Sequence, residues 1–164
     1  MFNIAVFASG SGSNAENLVN HFKDSSVGRV SVILSNKKDA YVLQRAERLG
    51  IPSATFTYKE FQDPKVILSI MDEYHIDFVI LAGFLLKVPE YLLERYPDRI
   101  LNVHPALLPK FGGKGMYGEH VHQAVIAAKE KHSGITIHVI DQSYDCGRTI
   151  YQSICAVHED DTPE

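Results

Sequence analysis

The chain has 164 residues, 45% apolar and 22% charged, which suits one globular domain of about 150 residues with a sizeable core. A formal net charge of −4 gives no broad pull toward nucleic acid or an anionic membrane, and no apolar run approaches the roughly 20 residues that span a bilayer. Two cysteines, Cys146 and Cys155, are too few for a disulfide framework or a cysteine-built metal site. The amino end has no basic stretch ahead of its apolar run, so a soluble, cytoplasmic protein without nucleic-acid or membrane partners is expected.

Phe2 to Ala8 is nearly continuous apolar sequence, the pattern of a strand buried on both faces. Ser9-Gly10-Ser11-Gly12-Ser13 ends it, and Ser13-Asn14-Ala15-Glu16 predicts a capping box ahead of Leu18, Val19 and Phe22 at helical spacing. A second strand is predicted over Val30 to Leu34, then a helix from Ala40 to Leu49 stopped by Gly50. Pro64 suits the first turn of another helix, with Ile67, Leu68 and Met71 on one face. Phe78 to Ala82 is again a buried-type strand, Pro89 to Tyr96 a short helix, and Ile100 to Val103 a strand entering a Pro-bounded loop. A helix from Glu119 to Ala128 precedes two β-rich stretches, Ile135 to Ile140 and Thr149 to Val157. Asp160-Asp161-Thr162-Pro163-Glu164 has the composition of a helix start, so a shortened chain is expected. Strands alternating with helices predict an α/β, Rossmann-like fold, a mostly parallel twisted sheet with helices on both faces.

Ligands of open α/β sheets bind in the crevice at the carboxyl ends of the strands. Ser9 to Asn14, Gly83 to Val88 and Asn102 to Pro109 fall there, and in a parallel sheet they rim one cleft. Gly10-Ser11-Gly12-Ser13-Asn14 suits close backbone approach to a phosphate at a helix start, or simply a tight strand-to-helix turn. Gly10, Gly12 and Ala15 satisfy a loosened dinucleotide fingerprint. The acid wanted about 20 residues further on for the ribose is missing from Leu34-Ser35-Asn36-Lys37-Lys38.

Asn102 and His104, two apart, share a face of an extended strand, and Pro105 disfavours the helical region for His104. An Asn amide can donate to a developing oxyanion and an imidazole can move a proton; the same pair can equally be structural. Asp145, in the polar loop Asp141 to Gly147, reads either as a turn aspartate or as a carboxylate that favours an imidazolium and orients a water. His120 and His122 point in different directions on a helix, so no metal is expected. The cysteines read as small buried hydrophobes.

Asn102-x-His104-Pro105-x-Leu107-Leu108-Pro109, followed by Asp145-x-Gly147-x-x-Ile150-x-Gln152, resembles the signature of formyltransferases that use 10-formyltetrahydrofolate. Gly12-Ser13-Asn14 after the first strand and Ser35-Asn36-Lys37 after the second resemble the branch that acts on glycinamide ribonucleotide, and the likeness runs over essentially the whole chain. The resemblance implies a single formyltransferase catalytic domain over residues 1–164, lacking a C-terminal helical segment of the family. It implies formyl transfer from 10-formyltetrahydrofolate, the co-substrate, to the amine of glycinamide ribonucleotide in purine biosynthesis. The route implied is direct attack through an oxyanion-stabilised tetrahedral intermediate, without a metal, in a monomer or homodimer.

On that likeness Asn102 donates to the oxyanion, His104 assists the same charge or relays protons, and Asp145 holds the imidazole and a proton-shuttling water. Gly12, Ser13 and Asn14 cradle the ribonucleotide phosphate. Phe84, Leu85, Leu86, Lys87 and Val88, with Asn102, Ile140, Asp141 and Tyr144, wall the folate pocket. Lys87 stands in a segment that departs from the family's arginine and is placed to meet the glutamate tail of folate. Another 10-formyltetrahydrofolate enzyme, a hydrolase or a different formyltransferase, is the near alternative. An NADPH-binding reductase using Gly10 to Ala15 and Lys37-Lys38 is the distant one.

Overall fold

The apolar run at the amino end forms β1 (Phe2–Phe7), and its last four residues are buried because helices cover both faces of the sheet. Side chains alternate along the strand. Ile4, Val6 and Ala8 join Ala15 and Val19 of α1 (Ser13–Phe22) and Val42 and Ala46 of α2 (Tyr41–Leu49) in one core cluster. Phe7 turns the other way, and its ring centroid lies 6.0 Å from that of Phe61 in α3 (Tyr58–Phe61) and 5.9 Å from that of Phe56. The computed structural model describes residues 1–141 and 147–163; Tyr144, Asp145 and Cys146 lie outside them.

The chain divides into two compact units, Met1–Ile100 and Leu101–Glu164. The first is completed by β2 (Gly28–Ser35), β3 (Ser53–Thr55), α4 (Pro64–Glu73), β4 (Phe78–Leu81) and α5 (Glu90–Arg95). Its strands run in the order β3-β2-β1-β4, every pair parallel. Local chemistry sets the helix ends. Gly50 closes α2 in the left-handed conformation at φ 68°, its N–H reaching the Ala46 and Glu47 carbonyls. Pro64 opens α4 behind Asp63, whose carboxylate accepts from the Lys65 N–H at 3.0 Å.

One expected cap is replaced. Ser13 is already helical, and α1 is entered through Gly12 at φ 74° with no side-chain cap. The capping box sits instead on α3, where Thr57 and Glu60 satisfy each other's backbone N–H groups. Neither β3 nor α3 is visible as periodicity, because each spans less than the window in which a repeat shows.

The second unit holds β5 (Ile100–His104), α6 (Glu119–Ala127), β6 (His132–Val139) and β7 (Thr149–Ala156). Both of its ladders are antiparallel; Asn102 faces His138, His104 faces Thr136, and Thr136 faces Gln152. At Gly134 a Cβ would stand 1.9 Å from the Ser153 carbonyl oxygen, so this close approach of β6 and β7 needs glycine. All eight residues of β7 are exposed, Cys155 among them, which corrects the reading of that cysteine as a buried hydrophobe. Residues 159–163 carry no helix; the His158 N–H is held by Asp161 Oδ2 at 2.8 Å. The fold is α/β and Rossmann-like, with parallel pairing among β1 to β4 and antiparallel pairing among β5 to β7. Among the described residues no helix is long and apolar enough to cross a membrane.

Candidate active site

In the first unit β1 lies between β2 and β4, so the strand order reverses there, and the crevice beyond the carboxyl ends of β1 and β4 is the place where such sheets take ligands. Ser9 ties this end together. Its N–H donates to the Gly83 carbonyl (3.0 Å), its hydroxyl accepts from the Leu85 N–H (3.1 Å) and donates to Asn36 Oδ1 (2.6 Å), and the side chain is buried. Two of the three segments expected at the crevice, Ser9 to Asn14 and Gly83 to Val88, therefore meet through one hydroxyl. Asn36 of the Ser35-Asn36-Lys37 motif is its third partner.

The turn after Ser9 has its carbonyls captured one by one. Gly10 O accepts from the Val42 N–H (3.1 Å), Ser11 O from Arg45 Nε (2.8 Å) and Gly12 O from the Glu16 N–H (2.9 Å). A trans peptide holds its N–H opposite its C=O, so the N–H groups of Ser11, Gly12 and Ser13 turn the other way. Among the described residues none accepts from any N–H between Ser11 and Ala15. Consecutive N–H groups at a helix start form an anion-binding nest. Arg45 and Arg48 both pair with Glu16, and the three groups together leave one unit of positive charge beside it. A Cβ on Gly12 would lie 2.3 Å from Val42 Cγ2 and 2.9 Å from Val42 Cα, so only glycine lets the turn lie against α2. Gly12, Ser13 and Asn14 therefore lie in the turn and first helical turn whose N–H groups face away from these captured carbonyls.

The segment after β4 is anchored from below. The Phe84 ring packs against Phe7 and Phe61, each 5.3 Å away between centroids, and against Phe56 at 6.1 Å. Phe61 is fixed in turn, its carbonyl accepting from the Tyr91 hydroxyl at 2.8 Å; burial, then nearby Asp63, pushes that phenol well above its ordinary value. Of the five residues expected here to wall a ligand, Phe84 is half-buried in this aromatic cluster and Val88 is buried. Leu85 and Lys87 are exposed and Leu86 half-exposed, so the accessible surface comes from these three.

In the second unit the sequence pair Asn102 and His104 shares one face of β5 as its spacing requires. The antiparallel register adds Thr136 and His138 from β6 and Gln152 from β7 to that face. Of these, His104, Thr136 and His138 are buried, and buried polar side chains need partners, which they have. Asn102 Nδ2 lies 3.0 Å from His138 Nε2. His104 Nε2 lies 2.8 Å from the Phe111 carbonyl, which can only accept, so that nitrogen carries the proton. Thr136 uses its full hydroxyl capacity: it donates to Ala106 O (2.6 Å) and accepts from the Leu108 N–H (3.0 Å) and Gln152 Nε2 (2.9 Å). Gln152 also reaches Leu108 O at 3.0 Å. The loop behind His104 is held by two side chains from neighbouring strands.

Ile140 and Asp141 follow β6, Ile140 half-buried and Asp141 exposed. Tyr144 and Asp145 fall outside the described residues. Lys110 pairs with Glu130 at 2.7 Å. His120 and His122 lie on α6, where the His120 ring meets Tyr117 at 5.3 Å. Sequence reasoning passes over Ser9, Arg45, Thr136 and His138. For the last two a signal exists: Thr136-x-His138 places polar residues on one face of a strand whose alternate positions, Ile135, Ile137 and Val139, are apolar. Ser9 and Arg45 carry none, because their partners are 27 or more residues away.

The Asn–His pair on the face of β5 offers an amide donor and an imidazole, groups that suit oxyanion stabilisation and proton movement in group transfer. The chain matches the formyl transferase family over residues 2–164 and belongs to it. It is 44% identical over 167 residues to the chloroplastic phosphoribosylglycinamide formyltransferase of Arabidopsis thaliana, covering 98% of this chain and 57% of the relative. It is 33% identical to the phosphoribosylglycinamide formyltransferase of Bacillus subtilis (strain 168), covering the whole of this chain and 84% of the relative. The crystal structure of the phosphoribosylglycinamide formyltransferase from Streptococcus pneumoniae TIGR4 superposes with a TM-score of 0.86 at 38% identity, over 99% of this chain and 87% of that one.

Proposed function

We propose that this chain transfers the formyl group of 10-formyltetrahydrofolate to the amine of glycinamide ribonucleotide, a step of purine biosynthesis. The observation that carries the reading is Asn102-x-His104-Pro105 leaving β5 in a chain matched by the formyl transferase family over residues 2–164. The names of the relatives supply the substrate, and the nest at Ser11 to Ala15 supports it by suiting a phosphate monoester. The ribonucleotide amine attacks the formyl carbon, the C=O electron pair moves onto oxygen, and the tetrahedral intermediate collapses with cleavage of the bond to N10. One proton leaves the amine and one arrives at N10.

In this reaction Asn102 donates to the oxyanion, His104 stabilises the same charge or relays the proton, and Asp145 holds the imidazole and a water. Gly12, Ser13 and Asn14 hold the phosphate. Phe84, Leu85, Leu86, Lys87, Val88, Ile140, Asp141 and Tyr144 serve the folate, Phe84 and Val88 chiefly as anchors of their segment. The formyl donor is already activated, so orientation and oxyanion stabilisation carry the rate.

The test is tetrahydrofolate release that depends on glycinamide ribonucleotide. Asn102→Ala is expected to lower kcat by roughly 100- to 1000-fold, the usual cost of an oxyanion donor. Formate released at the same rate without the ribonucleotide would replace this reading with a hydrolase. Tight NADPH binding without folate binding would replace it with a reductase.

A further inference from the structure

Ser9 lies buried just past the end of β1, between the turn that starts at Gly10 and the segment that leaves β4, and has no task in the reaction just described. We propose that it is a positioning residue: it sets the distance and direction of the segment Gly83 to Val88 relative to the turn Gly10 to Asn14, so that the formyl carbon and the attacking amine meet. The inference rests on the reading of that turn as the holder of the ribonucleotide phosphate and of that segment as a wall for the folate.

The argument begins where the ladder ends. β1 and β4 pair in parallel as far as Phe7 and Leu81, and the Ala82 N–H still reaches the Phe7 carbonyl at 2.9 Å. The chain then turns at Gly83, which is left-handed at φ 70°. A glycine has the widest choice of backbone conformation of any residue, so on its own it would leave the direction of the following residues loosely set. Ser9 closes on both sides of this turn. Its N–H donates to the Gly83 carbonyl at 3.0 Å, and its hydroxyl accepts from the Leu85 N–H at 3.1 Å. A side chain thus takes over the pairing at the point where the regular backbone ladder stops.

The hydroxyl is itself held. It donates to Asn36 Oδ1 at 2.6 Å, immediately after β2, so a side chain with three staggered positions is committed to one of them. Ser9 is only 3% exposed, which keeps water from competing for these bonds. On the other side Gly10 opens the phosphate turn, and its carbonyl is taken by the Val42 N–H at 3.1 Å. The carboxyl ends of β1, β2 and β4 are therefore tied to one oxygen atom, and the two substrate segments depart from it.

Transfer between two bound substrates depends on the distance between their sites as well as on the affinity of each. Reacting atoms must approach to about 3–3.5 Å in the right direction, and a misplacement of about 1 Å costs on the order of 100-fold in rate. Each segment keeps its own anchors without the Ser9 hydroxyl: the captured carbonyls in the turn, and in the other the Phe84 ring against Phe7. Loss of the hydroxyl should accordingly disturb alignment more than binding.

The experiment is a mutant cycle read by kcat and by KM for each substrate, at a temperature well below every variant's Tm. Ser9→Ala is expected to lower kcat by roughly 10- to 100-fold with both KM values changed little. Asn36→Ala, which frees the hydroxyl without removing it, is expected to give a smaller loss of the same kind. In the Ser9→Ala background Asn36→Ala is expected to cost nothing further, because the group it orients is gone. A lower Tm with parental kcat in Ser9→Ala would show a purely structural role and overturn the inference, and so would a raised KM at unchanged kcat or losses that add in the double variant. If Ser9→Ala does not fold, Asn36→Ala decides by the same split of kcat against KM. Tetrahydrofolate release by the parental chain that does not depend on the ribonucleotide would overturn the reading of the reaction itself, and this inference with it.

Discussion

The two units present their polar groups by opposite means. In the first, side chains are mainly filling: β1 and β2 bury apolar residues on both faces, and the polar groups offered beyond β1 are backbone N–H donors turned outward by captured carbonyls. In the second, the strands carry their polar groups on side chains. Asn102, His104, Thr136, His138 and Gln152 share one face, and the hydrogen bonds of Asn102, Thr136, His138 and Gln152 cross between strands. A backbone site should tolerate changes of side chain except where space forbids a Cβ. A side-chain site should fail on the loss of single atoms.

The sharpest break is expected at Gly12. Gly12→Ala forces a Cβ into Val42 and demands a left-handed residue, overpacking of about 1–3 kcal/mol on its own. A lower Tm and a raised KM for the ribonucleotide, with the folate KM unchanged, are the expected readouts; an unchanged ribonucleotide KM would remove the nest from the site. Thr136→Val is expected next. It keeps the shape but strands the Ala106 carbonyl and the Leu108 N–H, at about 1–3 kcal/mol for a buried group left unpaired. Here both denaturant midpoint and kcat should fall, since the loop that follows His104 loses its tether.

Ser13→Ala sharpens the comparison from the other side. Because Ser13 caps nothing with its hydroxyl, its expected change in ribonucleotide KM is small, and a large one would show that a side chain rather than backbone holds the anion. The smallest effect belongs to Glu60. The Thr57 N–H and hydroxyl hold its carboxyl below the usual carboxylate range, so its contribution to stability is complete above the ordinary value and disappears as pH falls through the lowered one. Glu60→Gln should flatten that part of the acid-unfolding curve slightly; a curve that does not move would show the box to be unimportant to stability.

Much of the first unit is legible without coordinates. Phe2 to Ala8, Phe78 to Ala82, Pro64 behind Asp63 and Gly50 after Leu49 each announce their structure locally, because buried parallel strands are continuously apolar and helix ends need specific caps. The cap at Ser13 is where local reading fails. The sequence satisfies the capping-box pattern, yet the turn must lie against α2, and that contact selects Gly12 as the entry and places Ser13 inside the helix. In the second unit Asn102 and His104 are found from spacing and from a proline, whereas their partners are not.

By itself, then, the order of residues determined the elements other than β3 and α3, the glycine turn, the shared face of Asn102 and His104, and the family likeness. Tertiary structure alone decided that Ser9 joins Asn36 to Leu85, that Arg45 takes the Ser11 carbonyl, and that His138 lies opposite Asn102. The reason is physical: strand pairing is a backbone interaction with no side-chain code of its own, and which strands pair, in which register, is settled only when the whole chain has closed its loops and buried its apolar faces.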